Sequence, residues 1–286
     1  MSSAANVAES GTITLGGELT VNRLGFGAMR VTGRGVWGPP PDENLARAVL
    51  RRVVEAGVNF IDTADSYGPE VSERLIAEAL RPYPEGLVIA TKGGQVRPGP
   101  NRWVPDGRPE HLREALEGSL RRLGLETIDL YQFHRPDPKV PFEESVGEIA
   151  RFREEGKVRL VGLSNVSVEQ LRAAQRLTPV ASVQNRFNLD DRSSDAVLEA
   201  VEGDGIAFLP WAPLGGTGGA AGGAIEDVAR VHGATVNQTL LAWLLALSPV
   251  MLPIPGTGSL EHLEENLAAA SLHLTDEDLA KLNRAR

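Results

Sequence analysis

The chain has 286 residues, 42% hydrophobic and 23% charged, a balance ordinary for a globular protein and long enough for one α/β barrel or two smaller domains. A net charge of −9 argues against nucleic acid or an anionic membrane as the main partner, and the lack of cysteine excludes disulfides, thiolate metal sites and cysteine nucleophiles. Residues 1–11 read as a frayed terminus with no basic start or apolar run, and the longest apolar run, Leu240–Leu247, is far short of a bilayer span, so a soluble cytoplasmic protein is expected.

From Thr12 onward the chain reads as one domain. Thr12–Leu15 and Glu18–Val21 flank Gly16-Gly17, a two-residue hairpin signal ahead of the first barrel strand, Arg23–Phe26. A long Pro-rich loop with Trp37 leads to Asp42, the expected cap of a helix carrying Leu45, Val49, Val53 and Val54. The second strand, around Phe60, ends near Asp62 and a helix runs from Ser72 to Leu80. Leu87–Thr91 is the third strand and delivers Lys92. Residues 95–107, with Trp103, read as an irregular loop before a helix over 109–123. Strand four (128–133) ends at His134, strand five (158–163) at Ser164-Asn165, strand six (181–184) at Gln184 and strand seven (206–210) at Trp211. A glycine-rich loop from Gly215 precedes two helices. Met251–Ile254 is the eighth strand, followed by a helix over 259–269 and a short one over 275–283. Eight strands alternating with helices, without a linker or repeat, predict a closed (β/α)8 barrel, with a doubly wound open sheet as the alternative.

Such a barrel gathers its strand ends into one site, and here those ends carry Asp62, Lys92, His134, Ser164, Asn165 and Gln184, with Tyr67 on the loop after strand two. Only four lysines and three tyrosines occur, so a lysine at a strand end in an arginine-served chain stands out. Free tyrosine is a weak acid at neutral pH. A nearby ammonium stabilises its phenolate, and a carboxylate keeps that ammonium charged and aimed. Asp62, Lys92 and Tyr67 therefore suit protonation of a carbonyl oxygen as hydride reaches carbon, with His134 orienting the oxygen. Hydrolysis fits poorly, for the five histidines show no metal-ligand spacing and no bound metal is expected. Gly33-Arg-Gly-Val-Trp-Gly matches a dinucleotide fingerprint by letter, yet three prolines follow where a helix should open. The better phosphate site is the turn from Pro253 to Ser259 at a helix N-terminus, and the glycine loop after strand seven is placed to close over a bound phosphate. Trp37 and Trp103 either wall the substrate mouth or anchor their own loops.

Taken together, Asn22-Arg-Leu-Gly-Phe-Gly, Phe60-Ile-Asp-Thr-Ala-Asp-Ser-Tyr-Gly, Ala90-Thr-Lys-Gly, Tyr131-Gln-Phe-His, Val161-Gly-Leu-Ser-Asn and Gln184-Asn resemble, in order, the motifs of the aldo-keto reductase family. The resemblance implies a catalytic tetrad of Asp62, Tyr67, Lys92 and His134, with Tyr67 the general acid. It also implies an NADPH/NADP+ cofactor and a small-molecule carbonyl substrate. By the same resemblance Ser164, Asn165 and Gln184 hold the nicotinamide carboxamide and Trp211 stacks on the ring. Gly27, Met29, Pro213, Leu214, Gly216, Ile254 and Gly256 are implied contacts along the cofactor, and Thr257, His262, Glu265 and Asn266 fall at its adenosine end. No Lys or Arg stands beside the expected 2′-phosphate, so NADH is also expected to be accepted. The Val36-Trp-Gly-Pro-Pro loop and Asp65-Ser-Tyr-Gly-Pro are similar to bacterial members described as pyridoxal reductases. The alternative reading is a cofactor-binding regulatory subunit, a role this fold also serves. Whether the chain is monomeric or homo-oligomeric is left open by its sequence.

Overall fold

In the computed structural model, residues 6–215 and 222–284 are described. The Gly16-Gly17 turn joins β1 (Thr12–Leu15) to β2 (Leu19–Asn22) in an antiparallel hairpin, both glycines sitting at positive φ. Next come β3 (Phe26–Gly27), α1 (Glu43–Glu55), β4 (Phe60–Asp62), α2 (Val71–Leu80) and β5 (Val88–Gly93). Residues 95–105, expected to be irregular, instead form a second antiparallel hairpin of β6 (Gln95–Gly99) and β7 (Arg102–Pro105). The pairs Val96–Val104 and Gln95–Pro105 hold it, with an irregularity at Pro98 where the chain lacks a donor. The alternation resumes with α3 (Pro109–Leu123), β8 (Ile128–Phe133), α4 (Phe142–Glu154), β9 (Val158–Ser164) and α5 (Val168–Gln175). It continues through β10 (Val180–Gln184), α6 (Asp195–Asp204) and β11 (Ala207–Phe208) to α7 (Gly222–His232), α8 (Val236–Leu247), α9 (Leu260–Leu267) and α10 (Asp276–Arg284).

Seven strands pair in parallel in the order β11-β10-β9-β8-β5-β4-β3. The segment expected as strand eight, Met251–Ile254, closes the gap between the two edges as an extended strap, not as a full ladder. Phe208 N donates to the Val250 carbonyl and Leu252 N to the Phe208 carbonyl on one side. On the other, the carbonyls of Pro253 and Pro255 accept from Gly25 and Gly27 N–H at 2.9 and 3.3 Å. Prolines at 253 and 255 have no N–H to give, so this edge pairs through carbonyls alone. The approach is close: a Cβ on Gly27 would lie 2.7 Å from the Ile254 carbonyl oxygen, and one on Gly256 would lie 2.3 Å from that of Gly27. Arg23 reinforces the closure by donating to the carbonyls of Leu245, Ser248 and Met251.

Two apolar layers follow from the alternation along each strand. Phe60, Val88, Ala90, Leu130, Leu160, Ala181, Ala207 and Leu252 fill the barrel, with Leu15 and Val21 of the hairpin packed into the same cluster at its N-terminal end. Ile61, Ile89, Tyr131, Phe133, Val161 and Val183 face outward and meet the helices. The α5 and α8 starts carry reciprocal capping boxes, Ser167 with Gln170 and Thr235 with Gln238, and Asp42 caps α1 as its position predicts. No helix among the described residues is long and apolar enough to cross a membrane. The hairpin plugs one end of the barrel, so the open end is the one to which the strand C-termini point.

Candidate active site

Lys92, the fifth residue of β5, is fully buried and reaches across to Asp62, the last residue of β4. Its ammonium donates to Asp62 Oδ2 at 2.6 Å, to the Thr63 carbonyl at 2.8 Å and to the Tyr67 hydroxyl oxygen at 3.2 Å. Three N–H groups meet three acceptors, which is how a buried charge is held without an orphan donor. Burial pushes the Lys92 pKa down, but the Asp62 carboxylate and the Tyr67 oxygen outweigh it and the net shift is upward. The other carboxylate oxygen of Asp62 accepts from Gln132 Nε2 and Gln184 Nε2, both at 2.8 Å. Gln184 also donates to Gln132 Oε1 at 3.1 Å. Gln184 Nε2 is thus committed to the floor of the site.

Tyr67 receives one of its hydroxyl lone pairs' partners from Lys92, so its own proton must point elsewhere, toward the open cleft. Burial raises its pKa, Lys92 lowers it, and Asp62 and Asp65 raise it again. The sum is upward, whereas the sequence suggests a lowered value. The Lys92 effect has the expected sign, and desolvation of the phenol is larger. Tyr67 is therefore a protonated donor at neutral pH. His134 follows β8; its ring meets Tyr67 edge-on at 5.9 Å between centroids, and Ser66 Oγ lies 3.3 Å from its Nδ1. Burial first, then the charges of Lys92, Arg135 and Arg97, push the His134 pKa well below the ordinary histidine range, so the ring is neutral.

The β6–β7 hairpin carries Trp103 to the same place, its ring 6.2 Å from both Tyr67 and His134. Trp37 lies farther out: 37% exposed, bridged to Gly68 and within 5.9 Å of the Arg97 guanidinium. Arg97 is the residue the sequence reading missed here. It lies 3.6 Å over the Trp103 ring and gives its N–H groups to the carbonyls of Gly35, Val36, Ser66, Gly99 and Arg102. Gln132 was the second omission. A polar residue inside an apolar central strand is a signal in itself, since such a group is almost always bonded to something specific.

Around the rim, Asn165 sits at positive φ after β9 and donates to Ser164 Oγ and the His134 carbonyl while accepting from Trp211 Nε1 at 3.1 Å. Trp211 is half-buried, with the Arg186 guanidinium 5.6 Å from its ring. Pro213 and Leu214 follow it; Gly216 and most of the glycine loop lie outside the described residues. The strap beside β11 carries Ile254 and Gly256, with Gly27 and Met29 next along, and the turn beyond reaches α9, where Thr257 Oγ1 accepts from Ser259 N–H and Ser259 Oγ accepts from His262 N–H. His262 is exposed, Glu265 half-buried and Asn266 buried. Among the described residues no cluster of His, Asp or Glu is arranged to hold a metal ion.

A family model described as aldo/keto reductase matches residues 23–286. The chain belongs to the aldo/keto reductase family. Relatives match nearly all of it. A Schizosaccharomyces pombe protein named uncharacterized oxidoreductase C215.11c is 52% identical over 99% of this chain and 92% of its own. Pyridoxine 4-dehydrogenase of Escherichia coli is 43% identical over 96% of this chain and 98% of its own. Among solved structures, the glycerol dehydrogenase AKR11B4 of Gluconobacter oxydans superimposes with a TM-score of 0.87 at 28% identity, covering 96% of this chain and 95% of that one. An aldo-keto reductase of Klebsiella pneumoniae in complex with NADPH gives a TM-score of 0.78 at 27% identity, with 96% and 94% covered.

Proposed function

We propose that this protein reduces an aldehyde or ketone to the alcohol with NADPH, and that Tyr67 is the proton donor. One observation carries the reading: a buried Lys92 ammonium bonded at once to Asp62 and to the Tyr67 oxygen, at the open end of the barrel. The residues present suit a nicotinamide dinucleotide. Ser164 and Asn165 offer amide and hydroxyl groups beside the catalytic floor, Trp211 offers a ring face, and the N-terminus of α9 with its preceding turn offers backbone N–H groups for phosphate. Gly27, Met29, Pro213, Leu214, Gly216, Ile254 and Gly256 are proposed contacts between these two ends, and Thr257, His262, Glu265 and Asn266 are proposed for the adenosine end. NADPH, when bound, supplies the hydride.

The chain supplies the proton and the field. As the carbonyl oxygen gains charge, Tyr67 transfers its phenolic proton to it, and the phenolate left behind sits 3.2 Å from the Lys92 ammonium. Asp62 keeps that ammonium in place, and Gln132 and Gln184 keep Asp62 in place. His134, neutral, orients the carbonyl oxygen beside Tyr67.

For the substrate, we propose a flat aromatic aldehyde of the pyridoxal type. The Trp103 and His134 rings flank the Tyr67 phenol, and Arg97, the cation behind them, is spent on backbone carbonyls. The pyridoxine 4-dehydrogenase relative supports the same choice. The reaction runs between carbonyl and alcohol with the cytoplasmic NADPH/NADP+ pair. NADPH consumption by the purified protein across a carbonyl panel that includes pyridoxal tests this. Pyridoxal is expected among the better substrates, and binding of NADPH without turnover of any carbonyl would overturn the enzymatic reading.

A further inference from the structure

Ser66 stands immediately before Tyr67, and nothing in the tetrad accounts for it. Its hydroxyl is buried against the ring of His134, 3.3 Å from Nδ1. The His134 backbone is fixed on both sides: its amide N–H donates to the Gly93 carbonyl and its carbonyl accepts from Asn165, while the Tyr67 and Trp103 rings stand edge-on to the imidazole. Nε2 has no protein partner among the described residues. A neutral imidazole has a single N–H, and the nitrogen that bears it decides whether the ring donates to a carbonyl oxygen or turns a lone pair on it.

We infer that Ser66 is a positioning residue: its hydroxyl donates to His134 Nδ1 and so holds the ring in the Nε2–H tautomer that can donate to the substrate oxygen. The inference rests on the reading of His134 as the group that orients the carbonyl.

One neighbour competes for the same proton. The Asp65 carboxyl lies against the Ser66 amide and hydroxyl. Ionised, it would draw the Ser66 proton to itself, Nδ1 would have to carry the hydrogen, and Nε2 would repel a carbonyl oxygen. The surroundings of Asp65 oppose ionisation. The residue is half-buried with Oδ1 shut off from solvent, and desolvation with Glu73 of α2 raises its pKa well above the usual carboxylate range. Arg122 of α3, the nearest counter-charge, is bonded to Glu70 and Glu73. Tyr131 of β8 feels the Asp65 charge from behind, and the cavity of about 260 Å³ on the outer side is faced by Arg97, His111 and Glu114. Asp65 Oδ1 has no partner of its own. The less charge Asp65 carries, the less it competes with His134 for the Ser66 proton. Arg97 fixes the serine backbone by donating to the Ser66 carbonyl at 3.1 Å.

The test is nitrogen-15 NMR of the histidine rings in the intact protein, with the His134 signals assigned by their loss in His134→Gln. The wild type is expected to show a neutral ring bearing hydrogen on Nε2 through the neutral pH range. Ser66→Ala should give a mixture of tautomers, and Ser66→Thr, which keeps the hydroxyl, should restore the single form. In turnover, Ser66→Ala should lose about tenfold in kcat with NADPH affinity unchanged, short of the ~10²–10³ that outright loss of an oxyanion donor costs. Ser66→Thr should recover most of it. A wild-type ring with hydrogen on Nδ1, or an Ala variant with the wild-type tautomer and rate, would overturn the inference. The NMR result stands apart from catalysis, so a failure of the Tyr67 assignment and a failure of this one are told apart.

Discussion

At the floor of the cleft, Asp62, Lys92, Gln132 and Gln184 bond to one another so fully that each side chain is fixed before anything binds. At the outer turn and the first turn of α9, the bonds are short-range caps: Ser259 N–H to Thr257 Oγ1, and His262 N–H to Ser259 Oγ. Thr257 is buried but Glu261 and His262 are exposed, and Glu261 brings negative charge to the first helical turn. The contrast separates two kinds of recognition. The floor stores its organisation in the folded protein, where removing one partner strands a buried charge at a cost of about 3–5 kcal/mol. The turn would meet the proposed phosphate through backbone N–H groups and a helix end, each contact worth far less and screened by salt.

The sharpest way to break the floor is Tyr67→Phe, which keeps the ring and removes the proton. Single-turnover hydride transfer is expected to fall by about 10²–10⁴ with NADPH still bound, general acid catalysis being of that size. A wild-type rate in this variant would sink the mechanism. Lys92→Met comes next. It leaves Asp62 facing Gln132 and Gln184 without its cation, so both the rate and the melting temperature should drop; Asp62→Asn should do the same from the other side of the pair. Measuring both variants by thermal unfolding and by turnover checks whether the floor is one cooperating unit, in which case their effects will not add.

The turn is tested by gain, not loss. His262→Arg adds a fixed fork of donors beside the proposed 2′-phosphate and should shift preference toward NADPH by about tenfold, the value of one charge-assisted pair partly screened by water. The shift is read as the ratio of kcat/KM for NADPH and NADH, and it should shrink in high salt. Overwhelming NADPH preference in the wild type would mean that another arginine supplies the contact.

The smallest expected effect lies at the margin of the floor. Burial and Glu73 raise the Asp65 pKa, so the folded protein binds a proton there more tightly than the unfolded chain does. Stability from this group is full below the ordinary aspartate range and is lost as pH rises toward the folded value. Asp65→Asn removes that loss, and its advantage over the wild type in urea unfolding should grow as pH rises above the ordinary aspartate range. A constant difference at all pH values would show that Asp65 does not titrate between the two states.

Most of the barrel was legible because the alternation of apolar strands and amphipathic helices is repeated so many times that no single error matters. The places that escaped have specific causes. Residues 95–105 hold Pro98 and Gly99, which read as breakers, while the pairing that makes them a hairpin is carried by Val96 and Val104 across a gap. The eighth strand reads as a regular strand, yet prolines 253 and 255 leave it only carbonyls with which to close the barrel. Within the site, Lys92 and Asp62 announce themselves at strand ends because charge is costly there. Gln132 and Ser66 do not, since an uncharged polar residue in a strand or loop is informative only once its partner across the barrel is known, and those partners are 70 and 68 residues away. The net direction of the Tyr67 pKa was out of reach for the same reason, because it depends on how much water the fold removes from the phenol.

Arg97 bears on how this enzyme could be redesigned. Its guanidinium ties the loop after the first barrel strand, the loop bearing Tyr67 and the β6–β7 hairpin into one hub, with Trp103 laid flat beneath it. Grafting any one of these loops from another barrel would leave the hub with donors aimed at carbonyls that have moved. New specificity would therefore have to be imported as a set of three loops together with their shared arginine, or sought on the far wall, near Trp211, where no such knot exists among the described residues.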